Sequence, residues 1–194
     1  MPKRTQTQQL TKHNWEQTLK KDDANYILTD FVLTAKKNGT IDGSITMLVL
    51  EGSSAGTTQS MLNIRGIPLH LIIPNNSDDY QPLKKIMKTL CSAYPNLTAD
   101  VFNKDAYDVV EEGYANKCNV IYLDFCRQLT CNTTSNTCLK TVRTTLETNQ
   151  QKKMVLAVTY SEVGARNSNH STSIKMKTDK TNLSKLLLRS VIAE

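Results

Sequence analysis

No stretch of this 194-residue chain approaches the roughly 18 consecutive apolar residues that a membrane-spanning helix needs, so a membrane partner is not expected. The opening residues, MPKRTQTQQLTKHNW, carry charge without an apolar segment. They do not resemble a secretory leader, and the expected setting is intracellular, in cytoplasm or nucleus. The five cysteines, Cys91, Cys118, Cys126, Cys131 and Cys138, contain no CxxC pair and lie far in sequence from the three histidines. Neither a zinc site nor a disulfide framework is expected of them. Arginine is scarce, with 6 Arg against 18 Lys, although arginine is the residue that reads phosphates and base edges bidentately. The single tryptophan, Trp15, sits in the basic N-terminal arm, where docking the arm on a domain suits it better than stacking on a base. No GxxxxGK[ST], HExxH or GxSxG occurs, which argues against P-loop nucleotide hydrolysis, zinc proteolysis and serine-elbow esterase chemistry.

What is present is the composition of a globular domain, 39% hydrophobic and 22% charged. The net charge of +6 favours a polyanionic partner such as RNA or DNA, although lysine-rich surfaces also serve simple solvation. Abundant Asn, Lys and Thr beside few Arg fit an AT-rich genome, such as a viral one.

The chain is organised around Ile45 to Thr58, ITMLVLEGSSAGTT. Its continuous apolar run predicts a strand buried on both faces, as in a parallel sheet. The small-residue loop with Gly52 and Gly56 lets backbone N–H groups approach a ligand, and the helix opening near Thr57 would attract negative charge. A tight strand-to-helix turn without a ligand is the alternative reading. Before it, Lys12 to Lys21 predicts a short helix, and Ala24 to Ala35 fits a helix about as well as a strand; the helix is favoured, with Tyr26, Ile27 and Phe31 on its apolar face and Lys36-Lys37-Asn38-Gly39 as its end. After it, strands are predicted at Leu69 to Ile73, Asn96 to Phe102, Asn119 to Phe125 and Lys153 to Tyr160. Helical patterns alternate with them at Gln59 to Arg65, Gln81 to Ala93, Ala106 to Ala115 and Cys138 to Glu147. Ser161 to Lys180 reads as a polar loop and Asn182 to Ile192 as a closing helix. This predicts an α/β fold: a doubly wound, mostly parallel sheet of about five or more strands with helices on both faces. Residues 1–44 would be a basic extension whose helix packs on a Rossmann-like domain spanning 45–194.

With its strands placed, the region from Ile45 to Ser161 resembles the core of a class I S-adenosylmethionine-dependent methyltransferase. VLEGSSAG supplies the acid and small-residue loop after the first strand, through Glu51, Gly52, Ser53 and Gly56. The resemblance implies that these residues hold the amino-acid and sugar parts of S-adenosylmethionine. It further implies that Asn75 stands where the family's ribose-binding acid lies, and that Asp105 in Asn103-Lys104-Asp105-Ala106 binds the adenine amine. Asp124, in Asp124-Phe125-Cys126, would face the reacting methyl group as a cofactor-binding and catalytic residue. The sequence departs from the family: Ser53, Ala55 and Thr57 stand at the usual glycine positions, and the last antiparallel strands cannot be placed.

Methyl transfer requires in-line positioning and a proton acceptor. Asp124 suits the second task, with Tyr160 or Ser161 opposite it, although an acid there also serves as a helix cap or ion-pair partner. Cys126 has Arg127 as its basic neighbour in sequence and is not expected to be a nucleophile. Glu162, Arg166 and His170 lie in the polar loop, where either substrate contact or plain surface fits them. Glu111 and Glu112 read as a solvated helix face. Two functions remain open: an S-adenosylmethionine-binding methyltransferase acting on nucleic acid, or an inactive Rossmann-like subunit working through protein partners or as a homo-oligomer. Glu51, Asp105 and Asp124, taken as unpaired acids at one sheet edge, favour the first, since they would repel without a ligand or cation.

Overall fold

In the computed structural model, residues 19–125, 136–151 and 153–160 are described. They form α1 (Leu19–Lys37), β1 (Ile45–Val49), α2 (Gly56–Met61), β2 (Leu69–Pro74), α3 (Tyr80–Ala93) and β3 (Leu97–Phe102). The chain continues through α4 (Ala106–Glu111), a 3-10 turn (Tyr114–Lys117), β4 (Val120–Phe125), α5 (Asn136–Thr148) and β5 (Val155–Tyr160). The five strands make one sheet in the order β3-β2-β1-β4-β5, and every pairing is parallel. This is the Rossmann-like α/β architecture that the alternation of apolar runs and helical patterns predicts.

The pleat divides each central strand between two apolar layers. On one face Ile45, Met47, Val49, Leu71, Ile73, Val120 and Tyr122 pack with Leu28, Val32 and Ala35 of α1, Met61 of α2, and Leu83 and Met87 of α3. On the other face Leu48, Ile72, Ile121, Leu123 and Phe125 pack with Val109 and Val110 of α4 and Cys138 of α5. Burial on both sides explains why β1 and β4 are apolar at almost every position.

Helix α1 differs from expectation in its extent and its facing. It runs unbroken through residues predicted to separate two helices. Tyr26 and Ile27, expected on the apolar stripe, are 74% and 63% exposed, and the buried stripe is Asn25, Leu28, Val32 and Ala35. A buried polar residue at the head of that stripe hid it from a hydrophobicity count. Gly39 ends the helix at φ +69°, its N–H reaching the carbonyl of Lys36, in the left-handed conformation that glycine adopts without a Cβ penalty. The other elements match their predicted spans to within a few residues, except that the Ala106 to Ala115 helix is a short helix followed by the 3-10 turn, and α2 begins at Gly56 and stops at Met61. The arm around Trp15, Cys126, and the proposed loop and closing helix beyond Tyr160 lie outside the described residues. No helix among the described residues is long and apolar enough to cross a membrane.

Candidate functional site

Strand order reverses between β1 and β4, and in open parallel sheets ligands occupy the crevice at such a switch point, beyond the carboxyl ends of the strands. Parallel topology puts Glu51, Asn75, Asp105 and Asp124 at that one edge, each close to the end of its strand.

The loop after β1 is built from beneath by Glu51. Its side chain is buried, and its carboxylate accepts from the backbone N–H groups of Thr57 (3.3 Å) and Thr58 (2.5 Å) and from the Thr58 hydroxyl (2.6 Å). Donors converge on an acceptor-only group, so the N–H groups of the second and third residues of α2 are satisfied by the protein's own anion. The expected attraction of this helix end for an anionic ligand is thereby cancelled. Above the carboxylate, Ala55 is held at φ 53°, the sole non-glycine residue at positive φ among the described residues, and it is fully buried. It stands at one of the three positions where the resemblance expects glycine, and its backbone is in the left-handed region that glycine adopts more readily. The N–H of Ala55 bonds the carbonyl of Gly52, and the Thr57 hydroxyl donates to Oδ1 of buried Asn25, tying the loop to α1. A Cβ on Gly56 would meet Ser54 Oγ at 3.7 Å and Asn25 Nδ2 at 3.8 Å, ordinary contacts, so space does not require glycine there. Gly52, Ser53 and Ser54 are partly exposed.

The next two loops are fastened to the first. Asn75 Nδ2 donates to the carbonyl of Glu51 (3.0 Å), while its Oδ1 accepts from the N–H and hydroxyl of Ser77. The Asn75 N–H reaches the carbonyl of Phe102. Both ends of the Asn75 amide therefore act as loop ties, which leaves the neighbouring exposed Asn76 as the better-presented polar group. Asn76 lies 3.4 Å from Asp105 Oδ2, and Asp105 Oδ1 caps α4 by accepting from Tyr107 N–H (3.2 Å). Asp105 is exposed and keeps acceptor capacity toward solvent. Beside it, Lys104 pairs with Glu112 at 2.6 Å, and the Tyr107 hydroxyl donates to Glu111, so both glutamates of that face have surface partners.

On the far side of the switch point, half-buried Asp124 accepts from the Thr159 hydroxyl of β5. The register pairs Asp124 with Thr159 and Phe125 with Tyr160, so the residue across from the acid is Thr159 and not Tyr160. Ser161, Glu162, Arg166 and His170 lie outside the described residues.

One premise of the sequence reading is overturned. Glu51, Asp105 and Asp124 are not unpaired: each accepts hydrogen bonds from neighbouring protein groups, so their presence alone does not demand a ligand or cation. Among the described residues no group of three His, Cys, Asp or Glu side chains is arranged to hold a metal ion. Sequence reasoning missed Thr57, Thr58 and Thr159, which donate to Glu51 and Asp124, and Asn25, which accepts from the Thr57 hydroxyl. It also missed a solvent-facing set nearer the amino ends of the strands, where His70 Nδ1 lies 2.9 Å from Thr98 Oγ1 and Nε2 lies 3.6 Å from Asp100. Two cavities occur away from the switch point. One, of about 320 Å³, lies at the amino edge between Met61, Arg65, Leu69 and Tyr94, and the other lies between α3 and β3.

Comparison of the sequence with protein-family models and with characterised proteins yields no match.

Proposed function

We propose that the switch-point crevice binds S-adenosylmethionine and that the protein is methyltransferase-like. The observation that carries this reading is the Glu51 carboxylate seated on the N–H groups of α2. In dinucleotide-binding folds that position receives a phosphate. An anion already there disfavours a phosphate-bearing ligand and favours a cationic or neutral one. A sulfonium cofactor with a neutral adenosine meets that condition.

The residues fit such a group in part. Asp105, exposed and with acceptor capacity to spare, suits the adenine amine, and Asn76 beside it offers a second polar contact. Gly52, Ser53 and Ser54 present a small-residue surface over which the sugar can lie. Asn75 stabilises the wall and does not take the ribose hydroxyls. When bound, S-adenosylmethionine supplies an electrophilic methyl group. Asp124 then orients an incoming hydroxyl or amine and accepts its proton, with Thr159 steadying the carboxylate. The net charge of +6 supports RNA or DNA as the methyl acceptor.

A second reading rests on a specific observation: every strand-ending acid has an internal partner, so the sheet edge is stable without ligand. Under that reading the chain is an inactive Rossmann-like subunit of a larger assembly, acting through protein contacts. Calorimetric titration of S-adenosylhomocysteine separates the two. The cofactor reading expects micromolar binding that Asp105→Ala weakens at least tenfold, the loss of one good hydrogen bond to a charged group. Absence of heat at millimolar ligand, with the protein folded, leaves the subunit reading.

A further inference from the structure

We propose that the open edge of β3, together with the cleft between β3 and α3, docks an extended acidic peptide segment of a partner protein by strand addition.

Among the described residues, strand β3 is an edge of the sheet, paired to β2 alone. The carbonyls of Asn96 and Phe102 bond β2-side N–H groups, and the register from Leu69↔Leu97 to Pro74↔Phe102 is unbroken. Pleat alternation therefore turns the N–H and C=O of Ala99 and Val101 outward, away from the sheet. An unpaired row of this kind is a template for another strand.

The side chains of the same two residues floor a cleft of about 440 Å³, closed on its other side by Met87 and Cys91 and rimmed by Lys84 and Lys88. An added strand would place one apolar side chain in the cleft. Its same-face neighbours two positions away would then lie beside the lysines. That geometry selects a segment with acid, apolar residue and acid at alternate positions. On the opposite face of β3, Asp100 has His70 as its neighbour at 3.6 Å and meets the other face of the incoming strand.

Charge decides the occupant. A second copy joined β3 to β3 would bring two lysine-bearing α3 helices alongside one another, and like charges so placed destabilise. The chain's own terminal sequences, residues 1–18 and 161–194, are each net cationic and do not supply the acids.

The test uses the full chain and a fluorescein-labelled probe peptide, Gly-Glu-Thr-Ile-Thr-Glu-Gly, read by fluorescence anisotropy at low salt. Binding is expected to weaken at least about tenfold in the double variant Lys84→Glu/Lys88→Glu, and as much when lysines replace the peptide's glutamates. Ala99→Pro is expected to lose binding as well, because it removes an outward N–H while leaving the ladder to β2 in place. Circular dichroism and the thermal midpoint check that both variants are folded. Equal binding of the lysine peptide, or no binding of either peptide at millimolar concentration, overturns the proposal. So does a concentration-dependent dimer that Ala99→Pro abolishes, which would assign the edge to a second copy. Binding of single-stranded oligonucleotide that depends on the lysines and not on Ala99 would assign the face to nucleic acid and overturn it equally.

Discussion

Glu51 follows β1 and Asp105 follows β3 at the same sheet edge, and each accepts from the first turn of the helix that follows it, Glu51 from the N–H groups of Thr57 and Thr58 and Asp105 from that of Tyr107. Their surroundings differ. Glu51 is 7% exposed and takes three donors beneath the loop, whereas Asp105 is exposed and keeps part of its carboxylate toward solvent. Two acids that look alike in sequence therefore have separate duties. One holds the crevice wall in shape and sets its charge, and the other is available to a ligand. An acid after a strand is evidence about a binding site only once its donors have been counted.

The largest expected effect follows from removing the buried member. Glu51→Ala strands two backbone N–H groups and a hydroxyl in a dry loop, and equilibrium denaturation should show a loss of about 3 kcal/mol. Glu51→Gln retains acceptor capacity and should lose less. If Glu51→Ala is no less stable than the native chain, the wall does not depend on that carboxylate and the contrast with Asp105 collapses.

Asp105→Ala should cost about 1 kcal/mol, the usual effect of an N-cap lost from an exposed helix end, while weakening S-adenosylhomocysteine binding at constant fold. The pair of variants separates structure from recognition, since a binding defect in Glu51→Ala is confounded by loop collapse. Equal ligand affinity in Asp105→Ala and native protein would remove the adenine role assigned to it.

A smaller effect is expected at Ala55. Glycine there relieves left-handed strain of about 1 kcal/mol and forfeits a buried methyl group of about 0.8 kcal/mol. Thermal melts of Ala55→Gly should stay close to those of the native chain. A large destabilisation would mean that the methyl group carries more packing than its size indicates.

The last contrast concerns the reactivity of two thiols. Burial pushes the Cys118 thiol up to about 12, and it raises Cys91 less, from the side of an accessible cleft. The thiolate is the reactive form, so iodoacetamide at mildly alkaline pH should label Cys91 well before Cys118 in peptide mass spectra. Raising the pH from 9.0 toward 12 favours the unfolded chain, because the unfolded Cys118 releases its proton first. Faster labelling of Cys118 than of Cys91 would indicate that the layer between the sheet and α4 opens readily.

Much of the fold was legible because parallel strands buried on both faces leave long apolar runs, as in Ile45 to Leu50 and Val120 to Phe125. Gly39 marked a helix boundary through a backbone constraint that sequence shows directly. The facing of α1 was not legible, since Asn25 heads the buried stripe to bond Thr57, thirty-two residues away. The neutralisation of Glu51 depends on a side chain reaching six and seven residues ahead to α2, and periodicity does not report side-chain reach. Identifying Thr159 as the partner of Asp124 required the β4–β5 register, and a shift of one residue would have selected Tyr160. The positions of the acids were therefore readable, and their states were not.

The most direct test of the crevice is amide chemical-shift mapping of the isotope-labelled full chain during titration with S-adenosylhomocysteine. The account predicts saturable shifts at Gly52, Ser53, Asn76 and Asp105, with the amides of Ala99 and Val101 unmoved. Shifts confined to the amino-edge cavity around Arg65 and Tyr94, or no shifts at millimolar ligand, would contradict it.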